Sequence, residues 1–127
     1  MVVVSASPEP KYCRSCGRRI EWRKKWERNW DAISYCSDAC RSRKIRPIDR
    51  ELEQWLLDRL QRASRGRGVD PADAVLALDP ANASNLREPA RNAARRLVNR
   101  GVAEMVQRGV VVDPSSAKGD VTLRPLR

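Results

Sequence analysis

Two pairs of closely spaced cysteines constrain the fold of this chain more than any other feature. Two residues separate Cys13 from Cys16, three separate Cys36 from Cys40, and nineteen lie between the pairs. Pairs at such spacings can place four thiolates in a tetrahedron around one Zn²⁺. Because four sulfur ligands leave no coordination position for water or a substrate, we predict one structural Zn²⁺ held by Cys13, Cys16, Cys36 and Cys40.

Other interpretations of these cysteines stay open at this point. Two disulfide bonds would suit a secreted chain, but Met1 to Pro8 show no charged segment followed by an apolar one, and cytoplasmic thiols stay reduced. An iron–sulfur cluster or a rubredoxin-like iron centre uses the same four thiolates, so spacing alone does not distinguish iron from zinc. Unliganded buried cysteines are disfavoured by the paired spacing. A zinc deaminase is excluded, because its pattern needs histidine and the chain has none.

Net positive charge is concentrated around the cysteines. The 127 residues carry a formal charge of +10, and residues 11–46 contribute +8 of it. Leucine, alanine and valine are frequent after Pro47, and a residue before proline is biased away from helix. We therefore predict a flexible arm at residues 1–10, a four-cysteine zinc module at 11–46 and a second domain at 47–127. A module of about 36 residues is too small to fold on an apolar core alone, so zinc would stabilise it.

Several function classes are disfavoured by what the sequence lacks. No apolar run approaches the roughly 18 residues that a membrane-spanning helix needs. With no export signal, we expect a cytoplasmic protein without a membrane partner. Histidine, the commonest general base, is absent, and no nucleophile, base and orienting group stand at a recognisable spacing. We predict that the protein is not an enzyme, and no small-molecule substrate is indicated.

Tryptophans and cations alternate between the two cysteine pairs. Trp22, Trp26 and Trp30 are four residues apart, which places them on one face of a helix or equally of a strand. They can form a small core packed on the metal site, or one of them can stack on a nucleobase while neighbouring cations hold phosphates. Solvated cations without a partner are the third interpretation. The candidate nucleic-acid contacts of this module are Arg23, Lys24, Lys25, Arg28 and Arg41.

The second cysteine pair is predicted to lie at the start of a short helix capped by Ser37. A zinc knuckle followed by such a helix resembles a treble-clef finger. The whole run also resembles a small uncharacterised bacterial zinc-binding family, a resemblance that implies metal binding and no established activity. The matching residues are Cys13, Cys16-Gly-Arg18, Trp22-Arg-Lys-Lys-Trp26-Glu27, Trp30, Tyr35-Cys-Ser37 and Cys40-Arg41.

The second domain is predicted to contain three helices followed by short strands. The first helix starts at an N-cap, Asp49, and stops before Gly66 and Gly68. The second runs from the cap Asp70 to Asp79-Pro80 and buries Val75, Leu76 and Leu78. The third has capping-box spacing at Asn85 and Glu88, places Pro89 in its first turn and ends at Gly101. The predicted strands are 103–107, 110–112 and 121–124, with a turn at Arg108-Gly109.

The third helix is amphipathic. Its apolar stripe consists of Leu86, Ala90, Ala93, Ala94, Leu97 and Val98, and its outer face consists of Arg91, Asn92, Arg95, Arg96 and Asn99. Three helices and a hairpin follow the order of a winged helix-turn-helix, in which the third helix enters the major groove and the hairpin touches the backbone. Arginine suits guanine edges, so Arg91, Arg95, Arg96 and Arg108 are candidate nucleic-acid contacts. An ordinary solvated face, or a protein-binding winged helix, stays open as an alternative.

The second domain also resembles a winged-helix-like domain family of unknown function. The similarity lies in Glu88-Pro-Ala-Arg91, Ala94-Arg-Arg-Leu97, Gly101, Gln107-Arg-Gly109, Val112-Asp-Pro114, Lys118-Gly119 and Leu123-Arg124. We therefore predict an α+β protein with a treble-clef-like zinc module followed by a winged helix-turn-helix domain. The predicted function is non-enzymatic binding of DNA or RNA. The alternative is an adaptor that docks on an acidic protein or a ribonucleoprotein.

Overall fold

A computed structural model describes residues 8–64 and 67–126. Most of the predicted arm therefore lies outside the described residues, as does the helix stop predicted at Gly66. Within the described ranges, no helix is both long and apolar enough to cross a bilayer. The strands are β1 (Lys11–Tyr12), β2 (Arg19–Ile20), β3 (Ala103–Gln107), β4 (Val110–Val111) and β5 (Thr122–Pro125), and the α-helices are α1 (Asp38–Arg43), α2 (Pro47–Arg62), α3 (Pro71–Leu78) and α4 (Ala83–Asn99).

The first part of the chain packs around its own small core. Strands β1 and β2 pair antiparallel and enclose the first cysteine pair, with Lys11 opposite Ile20. The tryptophan spacing produces neither a long helix nor a strand, because the chain folds into single 3₁₀ turns at Lys24–Trp26 and Trp30–Ala32. Trp30 is buried with Ile20 and the first cysteine pair, which confirms the small-core interpretation for this tryptophan.

Two of the predicted helix starts are correct in detail and two are wrong. Ser37 caps α1 by accepting a hydrogen bond from the Cys40 N–H, and Asp70 caps α3 by accepting one from the Ala72 N–H. Helix α2 instead begins at Pro47, so Asp49 lies inside its first turn. The Asp49 carboxylate accepts a hydrogen bond from the Arg46 N–H at 2.8 Å. The Asp49 carboxylate still accepts a hydrogen bond from a free backbone N–H at the helix start. It does so from the third position of the helix and not from the N-cap.

Helix α4 also starts earlier than predicted. A 3₁₀ turn at Pro80–Asn82 leads directly into the helix at Ala83, so Asn85 lies inside the helix and is not its cap. Pro89 consequently lies in the second turn, where its missing N–H removes one helical hydrogen bond. The side chains of Leu76 and Leu78 in α3, predicted as buried, are exposed, whereas Val75 is buried as predicted.

The second core lies between the three longer helices and a small antiparallel sheet. The strand order is β4-β3-β5, with Met105 opposite Leu123, and an isolated bridge from Val69 to Leu123 extends it. The turn between β3 and β4 has positive φ at both Arg108 and Gly109, as a tight hairpin requires. The alanine-rich stripe of α4 packs into this core, as the sequence predicts. The opposite side of α4 therefore faces the first part of the chain.

Candidate metal centre and its contact with helix α4

The four cysteine sulfurs converge on one point. Their Sγ atoms all lie within 4.8 Å of one another. The distances from Cys36 Sγ to the sulfurs of Cys16 and Cys40 are both 3.6 Å. In a tetrahedral site with Zn–S bonds of about 2.3 Å the sulfurs are about 3.8 Å apart, so these separations fit one bound cation. Four soft sulfur donors suit Zn²⁺ and also iron.

Backbone geometry around the first cysteine pair aims its sulfurs inward. The Gly17 N–H donates to the Cys13 carbonyl at 3.0 Å, and the Cys16 N–H points at the Cys13 sulfur at 3.5 Å. Gly17 has a φ of +79°, a conformation that glycine adopts without the steric cost of a Cβ atom. Cys13 and Cys16 are buried, whereas Cys36 and Cys40 lie nearer the surface. We call residues 13–17 the knuckle.

Hydrogen bonds among the sulfurs shift the pKa values of the thiols in opposite directions. The side-chain hydrogen bond with Cys16 lowers the pKa of Cys13 to about 4. The same hydrogen bond, together with burial, raises the pKa of Cys16, and burial raises the pKa of Cys36. Cys13 therefore carries negative charge readily, whereas Cys16 and Cys36 hold their protons more strongly than an ordinary thiol. A cation held between the sulfurs would favour the loss of those protons.

Three side chains of α4 bind three consecutive carbonyl groups of the knuckle. Arg96 Nη1 donates to the carbonyl of residue 15 at 2.7 Å, and Arg95 Nη1 donates to that of residue 16 at 3.2 Å. Asn99 Nδ2 donates to that of residue 17 at 2.9 Å. The outside of the knuckle is thus bonded to α4, and the metal centre is joined to the helical part of the chain.

Arg95 is the central residue of this contact, because its side chain is only 2% exposed. Besides the knuckle carbonyl, its guanidinium contacts Asn92 Oδ1 at 2.7 Å, the Pro114 carbonyl at 3.2 Å and Glu88 Oε2 at 3.3 Å. Burial lowers the pKa of Arg95, and the neighbouring Glu88 carboxylate opposes that shift. The charge is therefore held in place by several acceptors rather than by water.

Two further groups of bonds flank this contact, one within the helical part and one between the two parts of the chain. Glu53 of α2 accepts from Arg96 Nε at 2.6 Å, which orients the guanidinium that reaches the knuckle. On the other side, the Arg19 guanidinium pairs with Asp113 at 3.0 Å, and the Arg19 N–H donates to Ser115 Oγ at 2.8 Å. Both parts of the chain therefore contribute charged side chains to one continuous contact.

This contact corrects the prediction for the outer face of α4. Asn92 and Arg95 are buried and Arg96 is only 11% exposed, because the knuckle covers the face that was expected to meet solvent or DNA. In this arrangement neither Arg95 nor Arg96 is accessible to a base. Arg91 is bonded to the carbonyls of Ala117 and Gly119.

Sequence reasoning missed this role of α4, and with it the contributions of Glu53 and Asn99. One signal was available: an arginine pair beside Asn92 and Asn99 on one face supplies many donors, which suits bonding to backbone carbonyls as well as to bases. Gly17 was a second signal, since glycine permits close backbone approach. An ideal Cβ at Gly17 would lie 2.5 Å from the Arg95 Cβ.

The remaining candidate nucleic-acid contacts lie on the surface. We call Arg23, Lys24, Lys25 and Arg28 the basic surface; all are exposed, and in the described part of the chain none forms an ion pair.

The basic surface surrounds a half-buried tryptophan. Arg23 and Lys25 lie 5.9 and 5.2 Å from the centroid of the Trp26 ring, which itself stacks on Trp30. Arg41 is exposed but pairs with Asp38, and Arg108 is exposed at the β3–β4 turn.

Two family models match separate parts of the chain. Residues 6–43 match the family described as an uncharacterized protein conserved in bacteria (DUF2256), and residues 49–125 match the family described as a protein of unknown function (DUF3253). A search of the curated proteins finds no match. The first match contains the whole cysteine cluster, and the second contains all of α3, α4 and the three-stranded sheet. Because the second match covers more than half of the residues, the chain belongs to the DUF3253 family, with a DUF2256 segment preceding that domain.

Proposed function

We propose that this protein is a non-enzymatic zinc protein that binds nucleic acid through the basic surface of its four-cysteine module. The zinc is structural: it holds the knuckle and the start of α1 together, and the four sulfurs complete its coordination. The knuckle in turn positions the segment that carries the basic surface. The sulfur geometry supports a metal of this type, and the ligand chemistry favours zinc.

The observation that carries the proposal is a group of cations without ion-pair partners in the described chain, beside the half-buried ring of Trp26. Four cations without an ion-pair partner in the described chain lie beside Trp26, two of them close to its ring. Cations of this kind can neutralise phosphates and release counterions, and an aromatic ring can stack on a base. The candidate arginines of α4, Arg91, Arg95 and Arg96, are bonded to backbone carbonyls of the chain. The basic surface is therefore the better candidate for binding nucleic acid.

The order of elements in the helical part supports a winged-helix fold. We propose that its third helix, α4, does not enter the major groove of DNA. Helices α2, α3 and α4 precede a β3–β4 hairpin and a strand that pairs with β3, which is the order of winged-helix domains. With the outer face of α4 covered by the knuckle, we propose that α4 positions the four-cysteine module. Arg108, exposed at the tip of the hairpin, adds a further phosphate contact.

The test of the proposal is binding of labelled single-stranded and duplex DNA and RNA to the zinc-loaded protein. Arg23→Gln with Lys25→Gln should weaken binding about tenfold or more, because each cation contributes a phosphate contact. The matched control is Arg50→Gln with Arg87→Gln, which removes the same charge from exposed arginines elsewhere. Equal weakening by both variants, or no binding at low salt, would refute the basic surface as the binding site.

A second candidate is the adaptor, favoured by one observation. Val110 and Val111 are 64% and 54% exposed on β4, which is an edge strand. An exposed apolar edge can pair with a strand from another protein. Substituting Val111→Lys should abolish capture of such a partner and leave nucleic-acid binding intact, which separates the two functions.

A further inference from the structure

A groove of about 670 Å³ lies between the end of α2 and α3, in the helical part of the chain. It is distinct from the metal centre and from the basic surface. Its described lining includes an aromatic ring, guanidinium groups, one carboxylate and an exposed leucine. These are Trp55, Arg59, Arg62, Arg67, Asp73 and Leu76.

The charge of the groove is positive and unneutralised. Arg59, Arg62 and Arg67 are exposed, and none of them forms an ion pair with any described residue. Arg59 and Arg62 are three residues apart on α2, so both project from the same side of the helix. Asp73 is the one acidic side chain in the described lining. Guanidinium groups present paired N–H donors in a planar fork that matches the oxygens of a phosphate.

Trp55 gives the groove an aromatic wall. Its side chain is half-buried and packs against the helical core, which fixes the ring in place. The Arg59 guanidinium lies over the ring, 4.8 Å from its centroid, in a cation–π contact that places a phosphate-binding cation against the aromatic wall. A ligand that carries both a phosphate and a planar base would use both features.

We propose that this groove binds a nucleotide, with its phosphates on Arg62 and Arg67 and its base against Trp55. The site goes beyond the nucleic-acid binding proposed for the four-cysteine module, since it lies on the other family segment and uses different residues. The guanidinium groups and the Trp55 ring together favour a ligand that carries both a phosphate and a base. Phosphate alone lacks the aromatic contact, and a nucleoside alone lacks the guanidinium contact.

The test uses the full zinc-loaded protein with ADP, pyrophosphate and adenosine as probes, measured by titration calorimetry. The proposal expects ADP to bind at least tenfold more tightly than pyrophosphate or adenosine. Pyrophosphate binding equal to that of ADP would show a simple anion site and overturn the role of Trp55. The indole N–H resonance of Trp55, assigned with Trp55→Leu, should shift on addition of ADP; no shift would also overturn it.

Substitutions locate the site. Arg62→Gln and Arg67→Gln should each weaken ADP binding about tenfold, which is the effect of losing a charge-assisted hydrogen bond. Arg50→Gln is the matched control, because it removes the same charge from an exposed arginine of α2 that does not line the groove. An equal loss in the control would show that net charge alone attracts ADP.

This result can be separated from the nucleic-acid proposal. The Arg23→Gln, Lys25→Gln variant should bind ADP as the natural chain does, even where it no longer binds a nucleic-acid strand. If ADP binding falls with that variant, the groove is not the nucleotide site. If the unsubstituted protein binds ADP but binds no DNA or RNA, only the proposed nucleic-acid function is refuted.

Discussion

Arg95 donates a hydrogen bond to the carbonyl of Cys16, a residue 79 positions earlier, and does so from a fully enclosed position. A buried guanidinium is costly unless acceptors surround it, and the knuckle supplies one of them. The knuckle that carries two of the four cysteines is therefore bonded directly to α4. The first two predictions concern this contact.

Replacing Arg95→Ala should lower the free energy of unfolding by about 3 kcal/mol, because it leaves buried carbonyl acceptors unbonded and opens a cavity. Urea denaturation of the zinc-loaded protein measures this. Arg100→Ala is the control: that arginine is 51% exposed and pairs with Glu53 at the surface, so its loss should cost less than about 1 kcal/mol. Similar losses in the two variants would contradict the central role of Arg95.

Substituting Gly17→Ala should destabilise the protein more than Gly109→Ala. Both glycines have a φ of +79°, so both variants carry the same backbone cost of about 1 kcal/mol. Only at Gly17 does the added Cβ meet another atom, at 2.5 Å from the Arg95 Cβ, whereas nothing lies within 4 Å at Gly109. The difference between the two melting temperatures measures the contact between knuckle and helix. Equal melting temperatures would show that the knuckle and α4 do not pack closely.

Removal of the metal with a strong chelator should unfold residues 11–46. A segment of this size buries too little apolar surface to fold alone, and structural zinc supplies an apparent ~10–16 kcal/mol to such modules. Hydrogen exchange followed by mass spectrometry should show lost protection at Cys13–Ile20, and also in α4 near Arg95. Unchanged exchange in the first segment would contradict a structural metal. Metal analysis of the purified protein, with one zinc expected for each chain, is the companion measurement.

The affinity for zinc should rise steeply with pH. A thiol must lose its proton to bind the metal, and the pKa values of Cys16 and Cys36 are raised, so protons leave both groups on binding. Each released proton changes the affinity about tenfold per pH unit, so the protons from these two thiols alone give a change of at least about a hundredfold between pH 6 and 7. Competition with a coloured chelator at several pH values measures this. A change below tenfold would contradict release from both thiols.

Binding to duplex nucleic acid should weaken with salt. If the basic surface, Arg41 and Arg108 together neutralise about six phosphates, log K should fall with log salt concentration at a slope of about −5. Removing Arg23 and Lys25 should reduce the magnitude of that slope by about 2. Anisotropy titrations across a salt series provide the slopes. A complex that hardly responds to salt would contradict phosphate binding by these cations.

Local features of this structure could be predicted because they depend on neighbouring residues. The cysteine spacing predicts the sulfur cluster because a short local segment places each pair. Ser37 and Asp70 predict the helix caps because each cap bond joins atoms only a few residues apart. The predicted start of α4 at Asn85 is wrong, because a 3₁₀ turn at Pro80–Asn82 leads directly into the helix at Ala83. The Asp79-Pro80 pair, interpreted from the sequence as the end of the preceding helix, is also the start of this turn.

The contact between the knuckle and α4 could not be predicted from periodicity. A face rich in arginine and asparagine has the same pattern whether it meets water, DNA or backbone carbonyls, and pattern analysis assigns it to the surface. Arg95 is buried because a distant segment brings acceptors to it. Leu76 shows the converse, since an apolar residue at helical spacing is 59% exposed and lines a groove instead of the core.

The close approach of Gly17 to Arg95 limits how the two family segments can be recombined. A DUF2256 segment with a larger residue at this position would not pack on this helix, and a DUF3253 domain grafted elsewhere would leave the Arg95 guanidinium without one of its acceptors. Proteins that contain both segments in this arrangement should therefore have glycine at the position of Gly17 and arginine at the position of Arg95. A fragment cut at Pro47 for separate expression would expose surfaces that the intact protein never presents.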